Sequence, residues 1–375
     1  MQSVGSPDEP PSPESVAEVC RQFLGGQEFR QQALAGRGWS GSPIYRVDSA
    51  AGDCVLKRFP LAATPARAAW VHRLMQQTRA WGVAAVPSVL PLATGSREGR
   101  MTVAVDREGC LWEMVELKPG SPVEHPSLPQ VCAGMRTLAQ IHRAAASAPD
   151  GELCRAHLRG PSPGQRERVE KAERLLADPW SRWQKRIRRG TPLQEAVCLR
   201  LERATGLWRT ARMEQALAVV AATPAVEVGL QPVLRDVWSD HVLFGGGGNA
   251  AAVSGVIDYH AAGIDTPATD IARLLGSWHL GGAQWQRPGA GRLVERWGEA
   301  LAAYQEIGRL APEEIASISS FHATAVVFGL DHWFRWTLLD GASFQAPEAV
   351  VARIDRLLQL APEALEAILQ GGNRG

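Results

Sequence analysis

Two aspartates, Asp236 and Asp258, flank a candidate β-hairpin. Asp236 lies in LRDVWSDHVLF, just before the apolar run Val242-Leu243-Phe244, and Asp258 ends the apolar run Val253 to Ile257. Carboxylates at neighbouring ends of a hairpin suit metal-assisted phosphoryl transfer, one as proton acceptor and one as cation ligand. Aspartates after strands also serve as turn and cap residues, so the pattern needs support from elsewhere in the chain. Asp270 opens the helical run IARLLGSW, where a carboxylate is favoured by the helix dipole.

Lys57, in VLKRF, is one of four lysines against 36 arginines, so a lysine here carries more meaning than a generic positive charge. Strand alternation puts it on one face with Val55 and Phe59. An ammonium in that setting can neutralise phosphate charge; a surface lysine is the plainer alternative. Gly36-Arg37-Gly38-Trp39-Ser40-Gly41 precedes the first candidate strand. Such a loop can bring backbone amides close to phosphate oxygens, or can simply turn a hairpin. Gly245 to Asn249 reads as a plain turn.

These residues need elements to hold them. Residues 28 to 60 read as a β-meander, Pro65 to Trp81 as a helix, and residues 86 to 117 as strands again, with Met101 to Val105 and Leu111 to Leu117 flanking a turn. Pro119-Gly120 marks a boundary. Beyond it the periodicity is helical, through QVCAGMRTLAQIHRAAA, through residues 161 to 225, and in late helices over Leu293 to Tyr304, Glu313 to Phe334 and Pro347 to Leu360. His142 sits beside the apolar stripe and reads as a core histidine. The expected fold is α+β, with a disordered tail over 1–15, a small antiparallel sheet lobe with one helix over 16–118, and a helical lobe over 119–375 containing the hairpin 234–258.

Composition is that of a globular protein, with 45% hydrophobic and 21% charged residues. A net charge of +1 argues against a nucleic-acid binder that works through a bulk basic field. No apolar run approaches the roughly 20 residues of a membrane-spanning helix. Six cysteines without paired spacing indicate reduced thiols and a cytoplasmic protein, with no zinc site.

In order, the Gly-rich loop, VLKRF, WEMVELKPG, LAQIHR, LRDVWSDHVLF, VSGVIDY and DTPATDIARLL resemble the aminoglycoside phosphotransferase/choline kinase-like family of the protein-kinase-like superfamily, over roughly residues 28 to 340. The resemblance implies a two-lobed kinase-like fold and an ATP- or GTP-dependent, Mg²⁺- or Mn²⁺-assisted phosphotransferase acting on a hydroxyl of a small molecule. It makes Asp236 the catalytic base, Asp258 a metal ligand, Lys57 the phosphate-binding lysine and Asp270 a brace for the catalytic loop. Gly38, Ser40 and Gly41 would line the nucleotide, and the Glu113 to Glu116 segment, ending at Glu116, would form the adenine hinge.

Three departures stand out. Leu234 replaces a loop-orienting histidine, and His241, beside Asp240, replaces the metal-binding asparagine. No acidic residue occurs between Asp53 and Glu98 to pair with Lys57; His72 or Trp70 occupies that region. These changes keep a second function open: a pseudokinase that binds nucleotide or, through helices bearing Trp333 and Trp336, a protein partner. An acidic acceptor pocket would indicate a cationic substrate, with Glu202, Glu214, Glu227 and Asp331 as candidates. The sequence is silent on the oligomeric state.

Overall fold

A computed structural model describes residues 11–34, 42–50, 52–93, 101–147, 158–209, 212–245, 251–279, 297–342, 344 and 346–372. The fold is α+β, as expected, with a small antiparallel sheet unit and a helical unit. The first comprises Met1–Val123, Thr137–Ala156 and Asp240–Ala262; the second comprises Glu124–Arg136, His157–Ser239 and Gly263–Gly375. The segment 234–258, expected whole in the helical lobe, is therefore divided: Asp236 belongs to the second unit and Asp258 to the first.

The first unit opens with helix α1 (Pro13–Leu24). Ser12 caps it, its hydroxyl accepting the Ser15 amide at 3.1 Å, and Pro13 with Glu14 completes a helix-start signature. Residues 13 to 15, expected within a disordered tail, thus belong to a helix, and the unit holds α1 in addition to the one expected helix; residues 1–10 lie outside the described residues. Val16, Val19, Cys20 and Phe23 recur at helical spacing and bury against Val47, Cys54, Leu56, Trp112 and Met114 of the sheet.

That sheet contains β1 (Phe29–Ala33), β2 (Ile44–Ser49), β3 (Gly52–Arg58), β4 (Ala104–Val105) and β5 (Leu111–Glu116), in the order β1-β2-β3-β5-β4, antiparallel throughout. The strand expected from Met101 shortens to Ala104–Val105; the Met101 carbonyl accepts the Leu92 amide instead. Alternation divides β3 as its sequence demands: Cys54 and Leu56 join the core that α1 covers, while Val55 and Lys57 take the other face. On that face Lys57 is paired in register with Glu113 of β5. Helix α2 (Pro65–Ala80), capped by Thr64, packs Ala68 with Phe59 and Leu111.

A second sheet holds β6 (Ser121–Pro122), β10 (Val242–Phe244) and β11 (Val253–Val256), with β10 between the other two. Gly120, at φ +100°, lies so close to the Phe244 carbonyl and the Ser254 hydroxyl that a Cβ would overlap both. Helix α3 (Leu128–Ala146) carries His142, which is buried as expected.

In the second unit α4 (Pro163–Ala177), α5 (Pro192–Arg209), α6 (Arg212–Ala221) and α7 (Pro267–His279) join helices Gly298–Gln305, Pro312–Phe334 and Pro347–Gly372. Two ribbons accompany them, β7 (Arg159–Pro161) with β8 (Glu227–Gly229), and β9 (Gln231–Val233) with β12 (Gly263–Asp265). Trp180, Trp183, Leu217, Val326, Phe334 and Leu357 are part of one apolar core. Trp333 belongs to it and packs on Trp336 and Phe344, so it does not form the open partner surface considered from the sequence. Among the described residues no helix is long and apolar enough to cross a membrane.

Candidate active site

The loop from Leu234 to Ser239, which leaves β9, is held by one face of α7. Asp270, Arg273 and Ser277 are spaced i, i+3, i+7, which brings them to that face. The fully buried Asp270 carboxylate accepts the Leu234 amide at 2.6 Å and the Arg235 amide at 2.7 Å. Arg235 has φ +61°, a left-handed conformation that is uncommon for arginine. Such a turn aims successive amides at one anion, as in a backbone nest. Further along, the Ser277 hydroxyl accepts the Ser239 amide at 2.8 Å. Leu234 is itself buried, so the orienting work that the resemblance gives to a histidine side chain falls here to a backbone amide. Asp236 is nearly half exposed; its Oδ1 accepts the Trp238 indole N–H at 2.7 Å and pairs with Arg273 Nη1 at 2.9 Å.

In the first unit Lys57 Nζ donates to Asp258 Oδ1 at 2.7 Å. Asp258 has φ +66°, which aspartate tolerates better than most residues. Burial alone would raise its pKa, but the charge of Lys57, followed by His241 and His260, brings it down to about 2. His241 Nε2 stands 3.9 Å from Asp258 Oδ2, too far for a hydrogen bond. An oxygen and an imidazole nitrogen facing each other fit a divalent cation, and the nitrogen suits Mn²⁺ better than Mg²⁺. Asp240 is exposed on the short 3-10 turn before β10.

Helix α2 offers Lys57 no acidic partner, as the sequence indicates. It instead buries His72, whose Nδ1 meets the Thr102 hydroxyl at 2.7 Å and whose Nε2 meets Glu113 Oε2 at 2.8 Å. The other Glu113 oxygen meets His260 Nε2 at 2.7 Å. Phe59 stacks on the His260 ring with centroids 4.2 Å apart, and Arg67 donates to the carbonyls of His260 and Ala262. Burial pushes the Glu113 pKa up, but His260 and His72 together hold it well below the usual carboxylate range. Glu113 therefore links α2, β5 and the segment two residues beyond Asp258. Sequence reasoning saw Glu113 only as hinge and passed over His260, because their pairing depends on strand register. Arg273 and Ser277 were legible in principle, as polar residues on the Asp270 face of α7.

Glu116 is less available than the hinge assignment requires. Its amide donates to the Ser88 carbonyl at 2.9 Å, and the next amide, of Leu117, donates to Asp53 at 3.0 Å. Its carboxylate accepts the Ser88 amide and hydroxyl and pairs with Lys118 at 3.0 Å. A base at this position would thus not find the Glu116 N–H free. Gly38, Ser40 and Gly41 lie outside the described residues.

A lysine-bearing antiparallel sheet, an aspartate beyond the hairpin and a braced loop aspartate follow one another in the order that the family resemblance implies. The model of the phosphotransferase enzyme family matches residues 32–312, and the chain belongs to that family. Its fold is similar to that of an aminoglycoside phosphotransferase from Alicyclobacillus acidocaldarius subsp. acidocaldarius DSM 446, at TM-score 0.58 and 12% identity, covering 100% of this chain and 99% of that one. It is also similar to the amicoumacin kinase hAmiN in complex with AMP-PNP, Ca²⁺ and Ami, at TM-score 0.58 and 12% identity, covering 93% of this chain and 94% of that one. The microcompartment-associated aminopropanol kinase is a third similar fold, at TM-score 0.56 and 15% identity over 94% of this chain and 98% of that one. No curated protein gives a match.

Proposed function

We propose that this chain transfers the γ-phosphoryl group of a nucleoside triphosphate, ATP or GTP, to a hydroxyl group of a small molecule. The observation that carries this reading is the 2.7 Å contact between Lys57 and Asp258, which joins the strand lysine to the carboxylate beyond the hairpin. Lys57 neutralises phosphate charge and loses its hold on Asp258 as it does so. Asp236 accepts the hydroxyl proton, and Trp238 with Arg273 fixes the orientation of its carboxylate. Asp270 and Ser277 keep the loop preorganised. Asp258 and His241 are the residues that would hold a divalent cation, which when bound offsets phosphate charge. One fold neighbour was solved with a nucleotide analogue and a divalent ion, in keeping with this assignment.

Thermal unfolding of the chain with ATP or GTP, each with Mg²⁺ or Mn²⁺, tests the reading. A metal-dependent rise in Tm that Lys57→Met abolishes supports it, and no rise with any nucleotide–metal pair contradicts it. The ion pair between Asp236 and Arg273 gives the non-transferring alternative a specific basis, because it occupies the base. Nucleotide binding without transfer to any acceptor would favour that alternative.

A further inference from the structure

Asp258 turns at φ +66°, and an aspartate keeps a left-handed conformation only where its neighbours fix the chain on both sides. Upstream, the Val256 amide donates to the Ala85 carbonyl and the Ile257 amide to the His241 carbonyl, each at 2.9 Å. Downstream, the Ala262 amide closes a turn on the Tyr259 carbonyl at 3.0 Å. His260, inside that turn, is held in three ways. Its Nε2 meets Glu113 Oε1 at 2.7 Å, its ring lies over Phe59 at an interplanar angle of 21°, and its carbonyl accepts Arg67 Nη2 at 2.9 Å. The Ala262 carbonyl accepts from the same Arg67 nitrogen. Arg67 stands in the first turn of α2 and His72 further along it. One helix therefore grips the carbonyls of the turn and, through Glu113 Oε2, the carboxylate that holds the ring.

We infer that His260 is a positioning residue for Asp258. Clamped by Glu113, Phe59 and Arg67, it fixes the turn that sets the Asp258 carboxylate 2.7 Å from Lys57 Nζ and 3.9 Å from His241 Nε2. This rests on the reading above, in which Asp258 and His241 hold a divalent cation. In the resting chain Lys57 itself helps to aim the carboxylate. Once nucleotide phosphates draw Lys57 away, that aim depends on the backbone turn, and the clamp on His260 is what keeps the turn in place.

His72 separates this role from support of the fold. It meets the other oxygen of the same Glu113 at 2.8 Å, so its loss removes an equivalent buried hydrogen bond and leaves the His260 clamp standing.

The test titrates the full chain with AMP-PNP by calorimetry, once in EDTA and once with Mn²⁺, and reads how much the cation strengthens binding. His260→Ala should reduce that strengthening by roughly tenfold, as loss of an outer support does at metal sites, and leave the metal-free affinity unchanged. His72→Ala should lose comparable stability in urea and keep both affinities. Arg67→Ala, at a partly exposed position, should weaken the Mn²⁺ arm alone, and it decides the question where His260→Ala does not fold. An unchanged Mn²⁺ effect in the folded variant, an equal loss in His72→Ala, a matching loss of metal-free affinity, or a wild type that binds nucleotide with no help from Mn²⁺ overturns the inference. A wild type that binds no nucleotide in either arm instead removes the phosphotransferase reading, and the inference with it.

Discussion

Lys57 and Asp258 form an ion pair of 2.7 Å in which the lysine is mostly buried and the carboxylate about a third exposed. Lys57 comes from β3, whereas Asp258 follows β11, so the pair connects two sheets of one unit. Helix α2 carries no carboxylate, and Asp258 is an acidic partner of Lys57 in this chain. Nucleotide phosphates would compete with Asp258 for Lys57, and release of that carboxylate frees it for a cation. Lys57→Met should therefore weaken nucleotide binding at least tenfold, read by calorimetry with Mn²⁺ present. Unchanged affinity would remove Lys57 from the phosphate site.

Glu113 anchors two imidazoles in the core of the same unit. Glu113→Gln removes the charge but keeps the shape, and should cost about 2–3 kcal/mol of stability at pH 7. Because the folded-state pKa is lowered, the stabilisation is full above the unfolded value, about 4.5, and is lost as pH falls below it. Urea unfolding of wild type and variant should show a gap at pH 7 that narrows toward pH 3. A gap that widens in acid would contradict the assignment of an ionised Glu113.

Asp270 is fully buried and holds the Leu234 and Arg235 amides, so the proposed reading gives it a positioning role. Asp270→Asn leaves one oxygen for two amides and turns an NH₂ toward the other. A displacement of about 1 Å in the catalytic loop is enough to lower turnover by roughly 10²-fold. The expected signature is a fall in kcat with nucleotide affinity kept, measured by steady-state kinetics and calorimetry in parallel.

The thiols of Cys20 and Cys54 lie in the core between α1 and the sheet. Burial is the first cause pushing Cys20 up to about 12 and Cys54 up to about 11. Iodoacetamide at pH 8 should leave both unlabelled in the folded chain and label them in urea, as read by mass spectrometry. Rapid labelling of the folded chain would show that this core opens.

Much of this was legible from residue type and order. Lys57, Asp236, Asp258 and Asp270 stand in strongly patterned segments, and the alternation of β3 put Lys57 on the face where it lies. What the sequence hid depends on register and distance. Glu113 meets His72 and His260 across 41 and 147 residues. Helix α1 was overlooked because Ser12-Pro13-Glu14, a capped start, lies inside a segment whose Pro/Ser/acid composition reads as disorder. The last helix was expected to stop at Leu360, but it continues through Pro362 to Gly372, where Ala364, Leu365 and Ile368 bury in the core and outweigh the broken backbone bond.

The central claim is phosphoryl transfer with Asp236 as base. It is tested most directly by following ³¹P NMR of ATP with the full chain, Mg²⁺ and a panel of hydroxyl acceptors, with Mn²⁺ reactions read after the metal is removed, comparing wild type with Asp236→Asn. The account predicts a new phosphate monoester signal formed by wild type and at least about 10²-fold slower formation by the variant, within the range that positioned acid–base groups contribute. A monoester formed at equal rates by both proteins, or by neither while nucleotide is bound, would contradict it.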